Sequence, residues 1–311
     1  MRRLDTPALL FIGIWTSGYV VGSIAAKAAP PLAVTFWRIV VAATLLGGLG
    51  ALRGARWPRD PRTIAWLAGS GVLLFAVQFG GIYLGLSSGM PAGTSALIAS
   101  CCPLVVAVTL AALRWERLRP VQWMGAALGL AGVVLALLDR ISQPRSLEPV
   151  LWSLFGLAGF AFGTVLYNRH QARDVDPRIV AAIQCSAAGA VLGPWALLHG
   201  GLGIPLTERA LGATSWLTFV NAIGGPLIFY FLVRTRGATR ASSLLFVVPA
   251  TTAIASWPVL GQPLGITAFA GLAVAGIGVN LMQRARLAPG SDRAQPQSRL
   301  AEVGAAQEGQ G

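Results

Sequence analysis

One basic side chain, Arg38, lies several residues inside an apolar run of the sequence at 31 to 52. A charge inside a membrane span costs at least about 2.5 to 3.5 kcal/mol on insertion scales, and no Asp or Glu lies in the interior of any apolar run. Two interpretations stay open. Arg38 either extends towards the outer interface or bonds backbone carbonyls to hold its helix in place, or it faces a cavity and attracts a substrate carboxylate or another anionic group.

Polar and aromatic side chains recur inside the other apolar runs, and residues of these types could line a substrate-binding cavity. In the first half of the sequence they are Trp15, Ser17, Tyr19, Gln78, Tyr83, Thr94 and Ser95, and in the second half Tyr167, Asn221, Tyr230, Ser242, Thr252 and Ser256. Ser242, Pro249, Thr252 and Ser256 are spaced by 7, 3 and 4 residues, so they share one helical face. Helix packing through interhelical hydrogen bonds is the alternative role for the serines and threonines.

Two prolines, Pro103 and Pro249, lie inside apolar runs. Proline within a helix removes a backbone hydrogen bond and clashes with the preceding turn, so both positions predict a kink. We expect these kinks to let the two helices act as gates that close alternately over the membrane midplane.

The residue types that catalysis needs are not placed inside the apolar runs. His170 and His199 fall in or beside loops, and the three cysteines lack the spacing of a disulfide framework or a metal site. A serine such as Ser17 therefore has no buried base to activate it as a nucleophile. The sequence predicts that the protein is not an enzyme and binds no cofactor or metal.

The same scarcity of buried acids bears on energy coupling. Glu116 follows the fourth apolar run among Arg114, Arg117 and Arg119, so we expect it to belong to an interfacial ion cluster. A proton relay in a membrane normally uses embedded Asp, Glu or His. Facilitated diffusion or exchange is favoured over antiport through a carboxylate.

The elements that must position these residues are membrane helices. Of the 311 residues, 55% are apolar and 11% are charged, whereas about 25% are charged in an average soluble domain. A helical run of about 20 apolar residues spans a bilayer. The sequence predicts an all-α polytopic membrane protein with ten such runs, at 8–26, 31–52, 63–86, 91–113, 120–138, 149–168, 178–199, 212–233, 241–260 and 264–283.

The distribution of the basic residues predicts the orientation of the chain. With the N-terminus in the cytoplasm, 19 of the 24 Lys and Arg residues fall in cytoplasmic segments and four in outer ones. This bias follows the positive-inside rule and places both termini in the cytoplasm. It also removes the reason to read the net charge of +13 as a nucleic-acid site. We expect the first run to be an uncleaved helix and residues 285–311 to form a disordered tail.

An internal repeat divides the chain. A shift of 146 residues aligns Pro103 with Pro249, Gly125 with Gly271 and Gly132 with Gly278. The two repeats are 1–138 and 139–284, with five spans each. Because an odd number of spans per repeat inverts the second relative to the first, the sequence predicts an inverted-topology repeat, a plan common among secondary transporters.

Short motifs in this framework resemble the drug/metabolite transporter (DMT) superfamily, in particular its ten-span EamA-type exporters. They are Trp15-Thr16-Ser17-Gly18, Phe36-Trp37-Arg38, Ala92-Gly93-Thr94-Ser95-Ala96-Leu97 to Pro103-Leu104, Glu116, the glycines of the fifth span, and Ala241-Ser242-Ser243 to Pro249. The resemblance covers residues 8–284. The family usually repeats its acidic residue after the ninth span, and here that position is Gln262.

The resemblance implies a multi-pass secondary transporter of the bacterial inner membrane that exports small metabolites such as amino acids by alternating access. Efflux of multiple drugs or cationic compounds is the alternative, and a regulatory or lipid-handling membrane protein that transports nothing is the alternative of another class. A fixed positive charge such as Arg38 repels a cation, which favours amino acids. The expected partners are a small-molecule substrate and the lipid bilayer, while monomer and homodimer both remain open.

Overall fold

Ten helices account for the structure, a computed structural model that describes residues 6–115, 118–141, 146–169, 175–236, 244–262 and 265–287. They are α1 (Thr6–Ala28), α2 (Pro31–Leu52), α3 (Pro61–Ser87), α4 (Ala92–Ala112), α5 (Pro120–Ile141), α6 (Glu148–Arg169), α7 (Pro177–Leu198), α8 (Glu208–Thr235), α9 (Leu244–Leu260) and α10 (Ile266–Leu287). Eight are long and apolar enough to cross a membrane, and α9 and α10 contain shorter apolar stretches. Each helix coincides with one predicted span, and the all-α fold is confirmed.

Some residues named in the sequence predictions lie outside the part of the chain that the structure describes. Ser242, Glu116, His170 and the side chain of Tyr230 lie outside the described residues. Helix α10 continues to Leu287, so the first three residues of the predicted tail are helical. The remainder of that tail, 288–311, is also outside the described residues.

Proline and aspartate explain where two of the helices begin. The tripeptide Asp-Pro-Arg occurs at the start of α3 and again at the start of α7. Asp60 accepts hydrogen bonds from the backbone N–H groups of Arg62 and Thr63 at 3.2 and 3.0 Å. Asp176 accepts one from the backbone N–H of Arg178 at 2.9 Å. Both aspartates satisfy N–H groups that have no partner within the helix, and each proline occupies the first helical position, which it favours.

Helices α2 and α7 pack against each other in opposite directions. A Cβ placed on Gly193 would lie 3.2 Å from the ring of Phe36, and one on Gly47 would lie 3.4 Å from the Cβ of Ala182. The first half of α2 therefore contacts the second half of α7, and the second half of α2 contacts the first half of α7. A shift of 146 residues converts Phe36 to Ala182 and Gly47 to Gly193, so it exchanges the two contacts.

Helices α5 and α10 pack against each other in the same antiparallel way. A Cβ on Gly125 would lie 2.6 Å from the carbonyl oxygen of Gly278, and one on Gly132 would lie 2.6 Å from that of Gly271. The glycines let the two backbones touch, as small residues do in membrane helix pairs. The same 146-residue shift exchanges these two contacts. Equivalent helices thus run antiparallel about a local pseudo-twofold axis, as an inverted repeat requires.

Irregular turns interrupt four helices at equivalent places. Helix α3 contains a π-helical segment at Val72–Val77, and α8 contains one at Trp216–Gly224. Helix α4 is broken at Cys101, between Ala92–Ser100 and Cys102–Ala112. Helix α9 changes from a 3₁₀ turn, Leu244–Phe246, to an α-helix at Val248–Leu260.

The breaks in α4 and α9 coincide with the two aligned prolines. Pro103 and Pro249 each occupy the second position of the α-helical segment that follows the break. Because proline has no backbone N–H, it cannot bond the carbonyl one turn earlier. The break at Pro103 therefore divides α4 near its middle, and the break at Pro249 divides α9 near its start.

Candidate functional site

The motif Trp15-Thr16-Ser17-Gly18 connects α1 to α8 and α9. The ring of Trp15 lies 4.9 Å from that of Phe11 and 6.3 Å from that of Phe229, measured between centroids. Gly225 of α8 approaches the same indole, because a Cβ there would lie 3.2 Å from it. Trp15 thus packs in an aromatic contact between α1 and α8.

Ser17 belongs to a hydrogen-bond network that joins α1 to the π-helical segment of α8. Trp216 Nε1 donates to Ser17 Oγ at 3.0 Å, and Ser17 Oγ donates to the carbonyl oxygen of Ile14 at 2.7 Å. Asn221 Nδ2 donates to the same carbonyl at 2.5 Å. A Cβ on Gly18 would lie 2.9 Å from Asn221 Nδ2, so the glycine leaves room for the amide.

The amide oxygen of Asn221 is the unused part of this network. Oδ1 is buried and has no hydrogen-bond partner among the described residues. The bond from Nδ2 to Ile14 fixes the orientation of the amide, because the reversed orientation would place two oxygens together. Asn221 therefore holds a free acceptor at the contact between α1 and α8.

Thr16 connects α1 to α9. Its Oγ1 is 2.6 Å from Oγ1 of Thr251, across 235 residues of sequence. Next to Thr251, Thr252 is fully buried, and its hydroxyl has no partner among the described residues. Ser256 Oγ donates to the carbonyl of Ala253 in its own helix at 2.9 Å.

The polar face predicted on α9 is buried against α4. Pro249, Thr252 and Ser256 are all buried, and a Cβ on Gly93 of α4 would lie 2.9 Å from the Cα of Ala253. On α4, Ser95 is 1% exposed and its hydroxyl is unpartnered within the described part of the chain. Close packing thus joins α4 to α9, the helices that carry the aligned prolines, and among the described residues each of them holds a buried hydroxyl without a partner.

Arg38 lies between α2 and α3, against aromatic rings. It is 5% exposed, and its Nη1 donates a hydrogen bond to the hydroxyl of Tyr83. Its guanidinium carbon is 4.1 Å from the centre of the Phe79 ring and 5.6 Å from that of Tyr83, within cation–π range. Its Nε is buried with no partner among the described residues.

Arg38 has no carboxylate beside it in the described part of the chain, where the one ion pair is Arg178–Asp176. Buried charges in proteins are normally paired. A hydroxyl and two rings stabilise the guanidinium without neutralising it. The positive charge is therefore available to an anionic partner that reaches this position.

Tyr19 and Tyr83 meet at the end of the bundle where α1 ends and α2 begins, called here the α1–α2 end. A Cβ on Gly22 would lie 2.6 Å from the Tyr83 ring, so α1 and α3 are in close contact. Tyr19 packs on a buried cluster that includes Ala25, Ala26, Val34, Ile82, Tyr83, Leu86, Ala92, Ala210, Ala213 and Leu217. Gln262, after α9, adds a bond from the backbone N–H of Ala92 to its Oε1 at 3.0 Å.

The structure therefore divides the predicted site residues into groups. Trp15, Ser17 and Asn221 lie together between α1 and α8, and Arg38 lies with Tyr83 between α2 and α3. Thr252 and Ser256 lie on the face that meets α4. Gln78 and Thr94 are also buried, and Tyr167 is 36% exposed near the end of α6.

Several contacting residues were not among the sequence candidates. They are Phe79 beside Arg38, Trp216 beside Ser17, Thr251 beside Thr16, and Gln262 at α4. An aromatic residue one turn from Tyr83 was a usable signal for Phe79, because i and i+4 positions share a helical face. The other three residues contact distant parts of the chain. No local sequence pattern predicts such contacts.

Two aspartates that precede helices, Asp60 before α3 and Asp176 before α7, have lowered pKa values. A hydrogen bond from the Thr63 side chain, followed by those of the Thr63 and Arg62 backbone, lowers the pKa of Asp60. Hydrogen bonds from Arg178 are the main cause that lowers the pKa of Asp176. Both carboxylates stay ionised at neutral pH and act as helix caps.

Comparison with known proteins gives a consistent result. The sequence model of the EamA-like transporter family matches residues 6–138 and again residues 148–283. A curated relative from Escherichia coli (strain K12), named "Uncharacterized inner membrane transporter YedA", is 28% identical over 258 residues, covering 81% of this chain and 79% of the relative.

Two further similarities concern function and fold. A relative from Salmonella typhimurium, named "Probable amino-acid metabolite efflux pump", is 25% identical over 286 residues and covers 88% of this chain and 93% of its own. A solved crystal structure aligns with a TM-score of 0.60 at 24% identity, covering 90% of this chain and 97% of that one. At that identity the structural likeness supports the fold alone.

Proposed function

Because the chain belongs to the EamA-like transporter family, we propose that it exports small metabolites of the amino-acid type by alternating access. Its inverted architecture supports this role. The antiparallel pairs α2–α7 and α5–α10 form a symmetric frame, while the helices between them carry irregular turns at equivalent places. Transporters with inverted repeats bind substrate near the midplane, where interrupted helices meet.

Unequal contacts between equivalent helices carry the alternating-access part of the proposal. Helix α1 packs against α3 and α4 at the α1–α2 end, whereas the equivalent contacts of α6 with α8 and α9 are nearly absent among the described residues. A transporter with one side closed and the other accessible is expected to break its internal symmetry in this way. With the N-terminus in the cytoplasm, the closed end is the outer one, and an exporter in that state can load substrate from the cytoplasm.

Arg38 supports the choice of substrate class. Its charge has no carboxylate beside it within the described ranges, so it favours a substrate with a carboxylate and disfavours cationic drugs. A relative with a name that refers to amino-acid metabolite efflux is consistent with this choice. We place the protein in the inner membrane with both termini cytoplasmic, as a transporter that carries out no chemical reaction.

Metabolite profiles of the culture medium test the proposal. Cells that overproduce the protein are compared with cells that overproduce Arg38→Ala and with Arg209→Ala, an exposed arginine at the start of α8, at equal membrane levels. We expect one or more amino acids to accumulate with wild type and Arg209→Ala, and not with Arg38→Ala. Unchanged export by a folded Arg38→Ala would refute the role of Arg38, and no accumulated metabolite with wild type would refute export.

Energy coupling is tested separately, in proteoliposomes. Since no acidic residue lies inside a span, we propose facilitated diffusion or exchange. Flux should follow the substrate gradient and be unaffected by a pH gradient. A flux that is driven by a pH gradient and abolished by Glu116→Gln would instead show antiport through this carboxylate.

A further inference from the structure

The loop between α2 and α3 carries an unusual density of positive charge. Arg53, Arg56, Arg59 and Arg62 follow one another at three-residue intervals, and all four are exposed. The loop is short and joins two membrane spans, so it must lie at the level of the lipid headgroups, on whichever side of the membrane it faces.

The one acid in this loop, Asp60, forms no ion pair with the arginines. Asp60 is committed to the start of α3, where it accepts the backbone N–H groups of Arg62 and Thr63 and, at 2.7 Å, the Thr63 hydroxyl. Within the described ranges the only ion pair joins Asp176 and Arg178. None of the four guanidinium groups therefore forms an ion pair within the described ranges, although the charges of Arg62 and Arg53 contribute to the lowered pKa values of Asp60 and Asp176.

The loop also has a defined shape. The backbone N–H of Ala55 bonds the carbonyl of Gly50 at 2.9 Å, and Ala55 packs on a buried cluster that includes Leu67 of α3 and Ile179 of α7. Beyond this anchor, Arg56, Trp57, Pro58 and Arg59 line a cavity of about 590 Å³. Two arginines and a tryptophan thus line one concave space at the surface.

From this arrangement we infer that the cavity of Arg56, Trp57 and Arg59 binds the headgroup of an anionic phospholipid of the surrounding membrane. A guanidinium group often binds a phosphate through two parallel N–H···O hydrogen bonds. Trp57 is 50% exposed and Leu52 is 87% exposed, so an indole and an aliphatic side chain are available to the glycerol backbone and acyl chain, as Trp is at membrane interfaces. A free phosphate or soluble anion would use the arginines and leave these apolar groups in water.

Thermal unfolding of the purified full-length protein in a neutral detergent tests this inference. Dioleoylphosphatidylglycerol, dioleoylphosphatidylcholine and inorganic phosphate are titrated separately. We expect phosphatidylglycerol to raise the unfolding temperature in a saturable way, because a ligand that binds only the folded state stabilises it. Phosphatidylcholine and inorganic phosphate should give little or no rise.

Three paired variants locate the effect. Arg56→Gln/Arg59→Gln should weaken the apparent affinity for phosphatidylglycerol by about tenfold or more, since each arginine near an anionic surface contributes measurably. Lys27→Gln/Arg209→Gln removes the same charge from exposed positions at the α1–α2 end and should leave that affinity unchanged. Arg56→Lys/Arg59→Lys keeps the charge but loses the paired N–H donors of the guanidinium group, so it should weaken the affinity severalfold and less than the glutamine pair does. If the glutamine pair does not fold, wild-type affinity in the lysine pair would contradict recognition by the guanidinium groups.

The other outcomes would overturn the inference. Equal stabilisation by phosphatidylglycerol and phosphatidylcholine would show that the charge is not recognised. Equal stabilisation by inorganic phosphate would indicate a soluble-anion site. Equal loss of affinity in the glutamine pair and the Lys27/Arg209 pair would indicate a general effect of net charge.

Discussion

The absence of a Cβ atom at Gly18, in the α1 motif, leaves room for the hydrogen bond that joins Asn221 of α8 to α1. Alanine at this position places a methyl group 2.9 Å from Asn221 Nδ2 and should break the bond from Asn221 to Ile14. Gly13, in the same helix, has nothing within 4 Å of the same position. We expect Gly18→Ala to lower export severalfold and Gly13→Ala to leave it unchanged.

The Gly13 variant also corrects for helix propensity. Replacing glycine by alanine inside a helix stabilises the helix by up to about 1 kcal/mol at either position, so the difference between the two variants isolates the steric effect. We expect Gly18→Ala to be less stable than Gly13→Ala by about 1 kcal/mol, the usual contribution of one hydrogen bond. The measurements are thermal unfolding in detergent and amino-acid export at equal protein levels.

Asp60 gives a prediction about pH. Because hydrogen bonds from Thr63 lower its pKa in the folded protein, the unfolded chain binds a proton more readily. The stabilisation is present above the ordinary pKa of aspartate and is lost as the pH falls through the folded value. Asp60→Asn keeps a capping side chain that does not titrate. Its unfolding temperature should fall less than that of wild type on acidification from about pH 6 to below about pH 4. Superimposable acid profiles would contradict this.

At the scale of helices, two glycines of α10 should respond differently to substitution, because only one of them contacts α5. A Cβ on Gly278 would lie 2.4 Å from the backbone nitrogen of Gly129, whereas a Cβ on Gly276 would have nothing within 4 Å. Gly278→Ala must push two backbones apart, at a cost of about 1 to 3 kcal/mol. Gly276→Ala should be neutral or slightly stabilising. Size-exclusion chromatography and thermal unfolding distinguish them, and equal stability would refute the close contact.

Pro249 offers a second prediction at this scale. With Pro249→Ala the α-helix can continue through the break in α9, because the missing N–H is restored. If the break is a gate, export in proteoliposomes should slow severalfold while substrate affinity is retained. Pro258, an exposed proline of the same helix, provides the control, and Pro258→Ala should export normally. Unchanged export by Pro249→Ala would exclude gating at that position.

The helices were more predictable than their contacts. Apolar runs fix the spans because a bilayer demands helices of a given length, and the 146-residue shift identified equivalent glycines that the structure places at the α5–α10 contact. The π-helical segments of α3 and α8 have no signature in composition, because their residues are as apolar as their neighbours. The pairing of Thr16 with Thr251 depends on tertiary packing that no local spacing encodes.

For the molecule as a whole, pseudo-symmetry and charge are separate sources of information. The contacts α2–α7 and α5–α10 exchange under the repeat and would look the same with either end in the cytoplasm. The arginines break this equivalence. By the positive-inside rule their distribution predicts that the α2–α3 loop is cytoplasmic. On that prediction, the α1–α2 end, which we propose to be closed, is the outer one.

Reporter fusions test this orientation, which decides the side of the membrane from which the present state loads substrate. Alkaline phosphatase inserted after Gly201, in the exposed connection from α7 to α8, should be active. The same insertion after Gly54, in the α2–α3 loop, should be inactive, and green fluorescent protein at the C-terminus should fluoresce. The reversed pattern would put the closed end in the cytoplasm. The present state would then load substrate from outside, and the closed contacts of α1 with α3 and α4 would have to open before substrate in the cytoplasm could enter.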